Sequence, residues 1–224
     1  MMVAAPIATQ HKIFILEDHA FLRMGLRQFL ELEPDLQICG DFDRFQGAVE
    51  AILAASPDLV LLDISLPDGN GIDIIKGLRK SKFKGLILVL TMHDDALYAK
   101  RALRAGANGY AMKGMNSDSV LTAVRAVLAG EVFVPDTTAS RVLKQVSHGS
   151  SAGGMRASVD DLSDRELQIL EGLGSGLSTH QIAERLFISS KTVDAHRANI
   201  KKKVGINDMN ELVRFAVLRF AEID

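Results

Sequence analysis

One cysteine, Cys39, stands in 224 residues, which excludes an intramolecular disulfide framework and suits a reducing cytosol. No apolar stretch approaches the length of a membrane span, and Met1 to Gln10 has neither a basic start nor a long apolar core. A chain without signal peptide or membrane anchor, and without membrane contact, is therefore expected. Internal repeats and heptads are missing as well. With 47% hydrophobic composition, the chain is long enough for two modest domains. The net charge of −2 hides an uneven distribution: residues 1–140 carry 14 basic and 17 acidic side chains, residues 141–224 carry 12 and 11, and the small second-half excess is concentrated.

Continuous Val/Ile/Leu runs bounded by polar residues indicate strands buried on both faces, as in parallel sheets, whose ligands bind beyond the carboxyl ends of the strands. Ile13-Phe14-Ile15-Leu16 ends at Glu17-Asp18, and Leu59-Val60-Leu61-Leu62 ends at Asp63. If these strands are neighbours, three carboxylates converge and repel unless a cation sits among them, which suggests an oxygen-ligated Mg²⁺ site. Two further runs, Leu86 to Leu90 and Gly109 to Met112, end at Thr91 and Lys113. A cation, a hydroxyl and an ammonium are what the oxygens of a phosphoryl group need, and an Asp carboxylate can accept that group covalently. Singly, each Asp would merely end a strand, Thr91 would cap a helix and Lys113 would be a solvated charge. Four strand ends bearing acid pair, acid, hydroxyl and lysine have few such explanations.

The strand runs alternate with amphipathic stretches, Phe21 to Leu32, Phe45 to Ala55, Ile72 to Lys80, Ala96 to Ala105 and Ser117 to Ala129. This predicts a doubly wound parallel sheet of five strands, with Ile38-Cys39-Gly40 the weakest of them. Ser147 to Gly154 has little to bury and has linker composition. Beyond it strand runs disappear. Ser163-Asp164-Arg165-Glu166 is a capping box opening a helix from Leu167 to Leu173, and Ser178 caps a second with Gln181, Ile182, Ala183 and Leu186. Ser189-Ser190 caps a third from Lys191 to Val204, stopped by Gly205, and a last helix runs from Glu211 to Ala221. Four short helices with a tight turn between the second and third suggest a helix-turn-helix. The expected boundaries are 10–132 for the first domain, 133–158 for the linker and 159–224 for the second.

At about 100° per residue, Val193, Ile200 and Val204 share one stripe of the third helix, while Lys191, Ala195, Ala198 and Lys202 lie nearly opposite, flanked by Asp194 and Asn199. Alanines let a helix backbone approach base edges, and the lysines, with Lys201 and Lys203, can neutralise phosphates. A solvated lysine-rich helix end is the bland alternative for Lys201-Lys202-Lys203, but the preceding turn favours groove insertion.

On Asp63, Glu17-Asp18, Thr91 and Lys113, roughly the first 130 residues resemble the receiver domain of two-component response regulators, a flavodoxin-like α/β fold. The resemblance implies that Asp63 is the phosphoacceptor, that Asp18 with Glu17 surrounds Mg²⁺, and that the Ser65 backbone carbonyl is a further ligand. It makes Thr91 and Tyr110 the switch pair, with Tyr110 rotating into the space Thr91 vacates, and it gives Ser65 and His93 control over the lifetime of the acyl phosphate. Gly114 departs from the proline that many receivers have after the lysine. In Leu162 to Glu166, Gln181 to Leu186 and Thr192 to Arg197 the second half resembles the LuxR-type helix-turn-helix. That likeness implies phosphate contacts from Lys191 and Thr192, base-facing positions for Asp194, Ala195 and Ala198, and a core-flank position for His196. Asp194 stands where a basic residue is often found, and a carboxylate there can accept from a cytosine amino group. Together the halves resemble the NarL/FixJ class: a cytoplasmic transcription factor, not an enzyme, phosphorylated by a sensor histidine kinase. Promoter DNA, a homodimer through the last helix and RNA polymerase are its expected partners. A haloacid-dehalogenase-type phosphatase is the competing class, but it wants an acid two residues after the nucleophile, where Ser65 stands. A constitutive DNA binder with a lapsed phosphate site is argued against by Asp63, Thr91 and Lys113.

Overall fold

The computed structural model describes residues 10–92, 96–141 and 159–220. The chain divides into two compact units, Met1–His148 and Gly149–Asp224.

In the first unit β1 (His11–Leu16), β2 (Leu36–Phe42), β3 (Leu59–Leu62), β4 (Leu86–Thr91) and β5 (Gly109–Met112) form one sheet in the order β2-β1-β3-β4-β5. Every pairing is parallel. The connecting helices are α1 (Ala20–Leu30), α2 (Ala48–Ala55), α3 (Gly71–Lys80), α4 (Ala96–Ala105) and α5 (Ser117–Leu128). Ile13, Ile15, Leu59, Leu61, Leu88 and Leu90 form one core with Leu26 and Leu30 of α1 and Val120, Ala123, Val124 and Val127 of α5. The alternate residues Phe14, Leu16, Val60, Leu62 and Val89 are as deeply buried on the opposite face, which α2, α3 and α4 cover in sequence, each against the next. The sheet is thus doubly wound.

Three local departures have physical causes. The strand expected around Cys39 runs longer, Leu36–Phe42, and its register against β1 shifts between Ile13 and Phe14. At that bulge a Cβ on Gly40 would lie 2.8 Å from the Phe14 ring, so glycine admits the ring. Helix α2 begins at Ala48, not Phe45, because Asp68 accepts hydrogen bonds from the amides of Phe45 (2.6 Å) and Gln46 (3.0 Å) and Gly47 is left-handed at φ 87°. A short antiparallel ribbon, Ser65–Leu66 with Gly69–Asn70, follows β3 and delivers Asn70, whose side chain caps α3 by accepting from the Ile72 amide at 2.8 Å. Phe133 bridges in parallel to Gly109, and residues 136–141 are helical. The glycine-serine run from Ser147 to Gly154 lies outside the described residues.

The second unit contains α6 (Asp164–Gly174), α7 (Thr179–Arg185), α8 (Ser190–Val204) and α9 (Met209–Phe220), preceded by a 3-10 turn at Val159–Asp161. Capping boxes open α6 at Ser163/Glu166 and α7 at Ser178/Gln181. Ser189 caps α8 by accepting from the Thr192 amide, and Gly205, left-handed at φ 68°, ends it. Leu167 and Leu173, the bounds of the first expected helix, are buried, and Ile169, Leu170, Ile182, Val193, Ile200, Leu212 and Ala216 share one core. Ala221 lies outside the described residues.

Candidate functional site

Two neighbouring strand ends create the first site. Leu16 pairs with Leu62, and the Asp63 amide continues the ladder to the Leu16 carbonyl at 2.9 Å, so Glu17-Asp18 and Asp63 leave the sheet side by side. From the far side, the Lys113 amide donates to the Thr91 carbonyl at 2.8 Å and its side chain crosses to the carboxylates. Lys113 Nζ lies 2.7 Å from Asp63 Oδ2 and 2.8 Å and 2.9 Å from the two Glu17 oxygens. Glu17 and Asp63 are 2% and 1% exposed. The Ser65 amide donates to Asp63 Oδ1 at 3.0 Å, so one carboxylate oxygen is held by a backbone amide and the other by an ammonium.

Burial pushes the Asp63 carboxyl above its ordinary range, an effect that Lys113 and the Ser65 amide only partly offset. Glu17 is raised by burial first and by the Asp63 charge second. Burial alone would depress Lys113, but Asp63 and Glu17 outweigh it and hold the ammonium above its usual value. Three carboxylates against one ammonium call for further positive charge. Asp18 Oδ1 is buried without a hydrogen-bond partner; His19 Nδ1 is 2.9 Å away, but not in hydrogen-bonding geometry. One ligand atom each from Glu17, Asp18, His19 and Asp63 lies within 4.8 Å of the others. An orphaned carboxylate oxygen within such a set fits a hard divalent cation.

Thr91 is fully buried at the end of β4. Tyr110 is also fully buried. His93 lies outside the described residues.

Sequence reasoning missed His19 and two further residues that shape this site. Arg23, on α1, donates from one nitrogen to the backbone carbonyls of Glu17 (2.5 Å) and Asp18 (3.3 Å) and pairs with Asp41 at 3.1 Å. It therefore fixes the turn that carries the acidic pair. Gly71 stands directly behind the acceptor: a Cβ there would lie 2.3 Å from the Asp63 carbonyl oxygen and 2.8 Å from Ile64 Cα. The glycines of Asp68-Gly69-Asn70-Gly71 are the signal in the sequence, although they indicate a turn rather than its closeness to Asp63.

The second site is the outward face of α8. Lys191, Thr192, Asp194, Ala195, Ala198, Asn199 and Lys202 are exposed, while Val193 and Ile200 are fully buried. His196 is half-buried, on the core flank. Lys201 is half-buried and donates to the Asn207 carbonyl at 3.3 Å. Lys203 Nζ lies 2.7 Å from Glu166 Oε2, linking the end of α8 to the capping box of α6. Arg165 also serves the fold, donating to the Leu186 carbonyl at the helix-turn-helix turn.

Residues 13–125 match the response regulator receiver domain, and residues 160–216 match the luxR family of bacterial regulatory proteins. The transcriptional regulatory protein DegU of Brevibacillus brevis is 32% identical over 214 residues, covering 90% of this chain and 91% of its own length. The Fimbriae Z protein of Salmonella typhimurium strain LT2 is 34% identical over 204 residues, covering 91% and 95%. Among solved structures, RcsB of Salmonella enterica serovar Typhimurium, bound to promoter rprA in the presence of the phosphomimetic BeF3-, aligns with a TM-score of 0.62. It covers 93% of this chain and 98% of that one at 22% identity, which shows a shared fold. The chain belongs to the response regulators, as a transcriptional regulator with a receiver domain followed by a LuxR-type DNA-binding domain.

Proposed function

We propose that this regulator accepts a phosphoryl group on Asp63 from the phosphohistidine of a sensor histidine kinase, and that the acyl phosphate controls dimerisation and promoter binding. The observation that carries this is Lys113 Nζ at 2.7 Å from a buried Asp63, beside Glu17 and Asp18. An Asp63 oxygen attacks phosphorus, the bond to the imidazole nitrogen breaks, and that nitrogen keeps the electron pair and takes a proton from solvent. Lys113 neutralises the incoming oxygens, and the Thr91 hydroxyl donates to one of them. Mg²⁺, held by Asp18, Asp63, the Ser65 carbonyl and, through water, Glu17, would offset charge on the transferring group. Ser65 stands where a haloacid-dehalogenase-type phosphatase needs its second acid, and its amide is turned onto Asp63, which supports a phosphoacceptor over a hydrolase.

The receiver spans residues 10–132 and the output domain 159–224, joined by the linker between them. Lys191, Thr192, Asn199, Lys201 and Lys202 contact the duplex around Asp194, Ala195 and Ala198, which face the bases. Among the described residues no helix is long and apolar enough to cross a membrane. The factor works in the cytoplasm as a homodimer, with RNA polymerase as a further partner.

Incubation with a small phosphodonor and Mg²⁺ should add one phosphoryl group by intact mass, stable to acid and labile to alkali. Asp63→Asn should abolish the addition, as should chelation. Labelling that persists in Asp63→Asn overturns the assignment.

A further inference from the structure

On the outward face of α8, Asp194 is an anion among lysines, alanines, Thr192 and Asn199. Its side chain is 63% exposed. Beside DNA phosphates, a free carboxylate would turn away from the duplex, since like charges repel and an exposed side chain changes rotamer readily. Two contacts hold it. Arg197, one turn later, donates from Nη1 to Asp194 Oδ1 at 3.1 Å, and the same nitrogen donates to the hydroxyl of Thr179, the first residue of α7. The Arg197 side chain is only 18% exposed, so its guanidinium is braced between helices rather than free in solvent. An Asp-Arg pair three residues apart on an isolated helix does little to restrain either partner. Attachment to a second helix restricts the guanidinium, and through it the carboxylate.

We infer that Arg197, braced on Thr179, positions the Asp194 carboxylate to accept from the exocyclic amino group of a cytosine, so that this pair sets the base preferred at one position of the site. The inference rests on α8 being the groove helix proposed above. With Oδ1 engaged by Arg197, Oδ2 is left to accept from the base, and carboxylates pair with the cytosine amino group in the major groove. The guanidinium also compensates a charge that would otherwise be brought uncompensated between phosphates. Arg197 is a positioning residue here; the group touching the base is Asp194.

The test uses the full-length chain treated with phosphodonor. Selection from a random duplex library, followed by sequencing, should return sites with a strong cytosine preference at one position. Arg197→Met should reduce that preference by about tenfold, leaving the other positions and the salt dependence of binding unchanged. Arg197→Lys, which keeps the charge but replaces the rigid planar guanidinium with a more flexible ammonium, should give a smaller loss. Asp194→Asn, at an exposed position that the fold does not need, should move the preference toward adenine, the usual partner of an asparagine amide. Uniform weakening on all sequences by Arg197→Met, with the salt slope flattened by about one, would make Arg197 a phosphate contact and overturn the proposal. An unchanged base profile in Asp194→Asn would overturn it independently. If the unsubstituted chain selects no sequence at all, α8 as the groove helix fails, which is distinguishable from failure of the Arg197 relay.

Discussion

At the scale of single residues, the proposed phosphoacceptor depends on a side chain that is missing. Gly71 has no Cβ, and the space a Cβ would need is taken by the Asp63 carbonyl and Ile64 Cα, both backbone. Neither can yield without moving Asp63. Gly71→Ala is therefore expected to destabilise the chain by about 1–3 kcal/mol, the usual range for overpacking, and to slow labelling of Asp63. Gly25, an exposed residue inside α1, is the control: a Cβ there meets nothing within 4 Å. Gly25→Ala should stabilise by about 0.4–1 kcal/mol by restricting the unfolded chain. Urea unfolding midpoints and phosphodonor labelling rates measure both substitutions, and equal effects would refute this account of Gly71.

At the scale of elements, the sequence is most legible where one physical signal dominates. Strands β1, β3 and β4 are continuous apolar runs because both their faces are covered, and the polar residue ending each run marks the functional edge; Glu17, Asp63 and Thr91 were accessible for that reason. Lys113 followed from the same logic. Strand β2 was faint because it is an edge strand with a bulge, and the start of α2 was misplaced because Asp68, over twenty residues away, captures the amides that would have begun it. Arg23 and Gly71 were not legible, since their roles depend on which backbone atoms they meet in space. The lysines of α8 show the same limit. Composition groups Lys202 with Lys203, yet the fold pairs Lys203 with Glu166, where burial would raise the carboxyl but hydrogen bonds from Lys203 and Ser163 hold it below its ordinary range. Lys202→Ala should weaken binding to all DNA sequences and reduce the salt slope by about one. Lys203→Ala should mainly lower stability, by about 1 kcal/mol for a half-exposed charge-assisted contact, with the salt slope unchanged. Anisotropy titrations across a salt series, run beside thermal melts, check the pair; equal slopes lost in both variants would count against this division of labour.

At the scale of the whole molecule, two units with separate cores must communicate if phosphate on one is to govern DNA binding by the other. A ligand shifts a conformational equilibrium only by its differential affinity for the two states. Thr91 and Tyr110, the proposed switch pair, are both fully buried in this structure. Phosphate on Asp63, by engaging Thr91 and Lys113, would have to favour the DNA-binding state by that differential affinity. The unphosphorylated chain should accordingly retain measurable but weakened DNA binding. Two mechanisms give this behaviour and differ in what the receiver contributes. If the receiver covers α8, removing it should help: a fragment from residue 155 to Asp224, which keeps the second core intact, should bind target DNA more tightly than the unphosphorylated full-length chain, and phosphodonor should restore the full-length chain toward the fragment. If the receiver acts instead by pairing, removing it should hurt, because a receiver dimer raises the effective concentration of the second DNA-binding domain. We expect covering. DNA titrations of the fragment and of both full-length forms, with sedimentation on the same samples, separate the two: a fragment weaker than the unphosphorylated full-length chain would rule out covering, and dimers forming only after phosphodonor treatment would then identify receiver-driven pairing as the source of affinity.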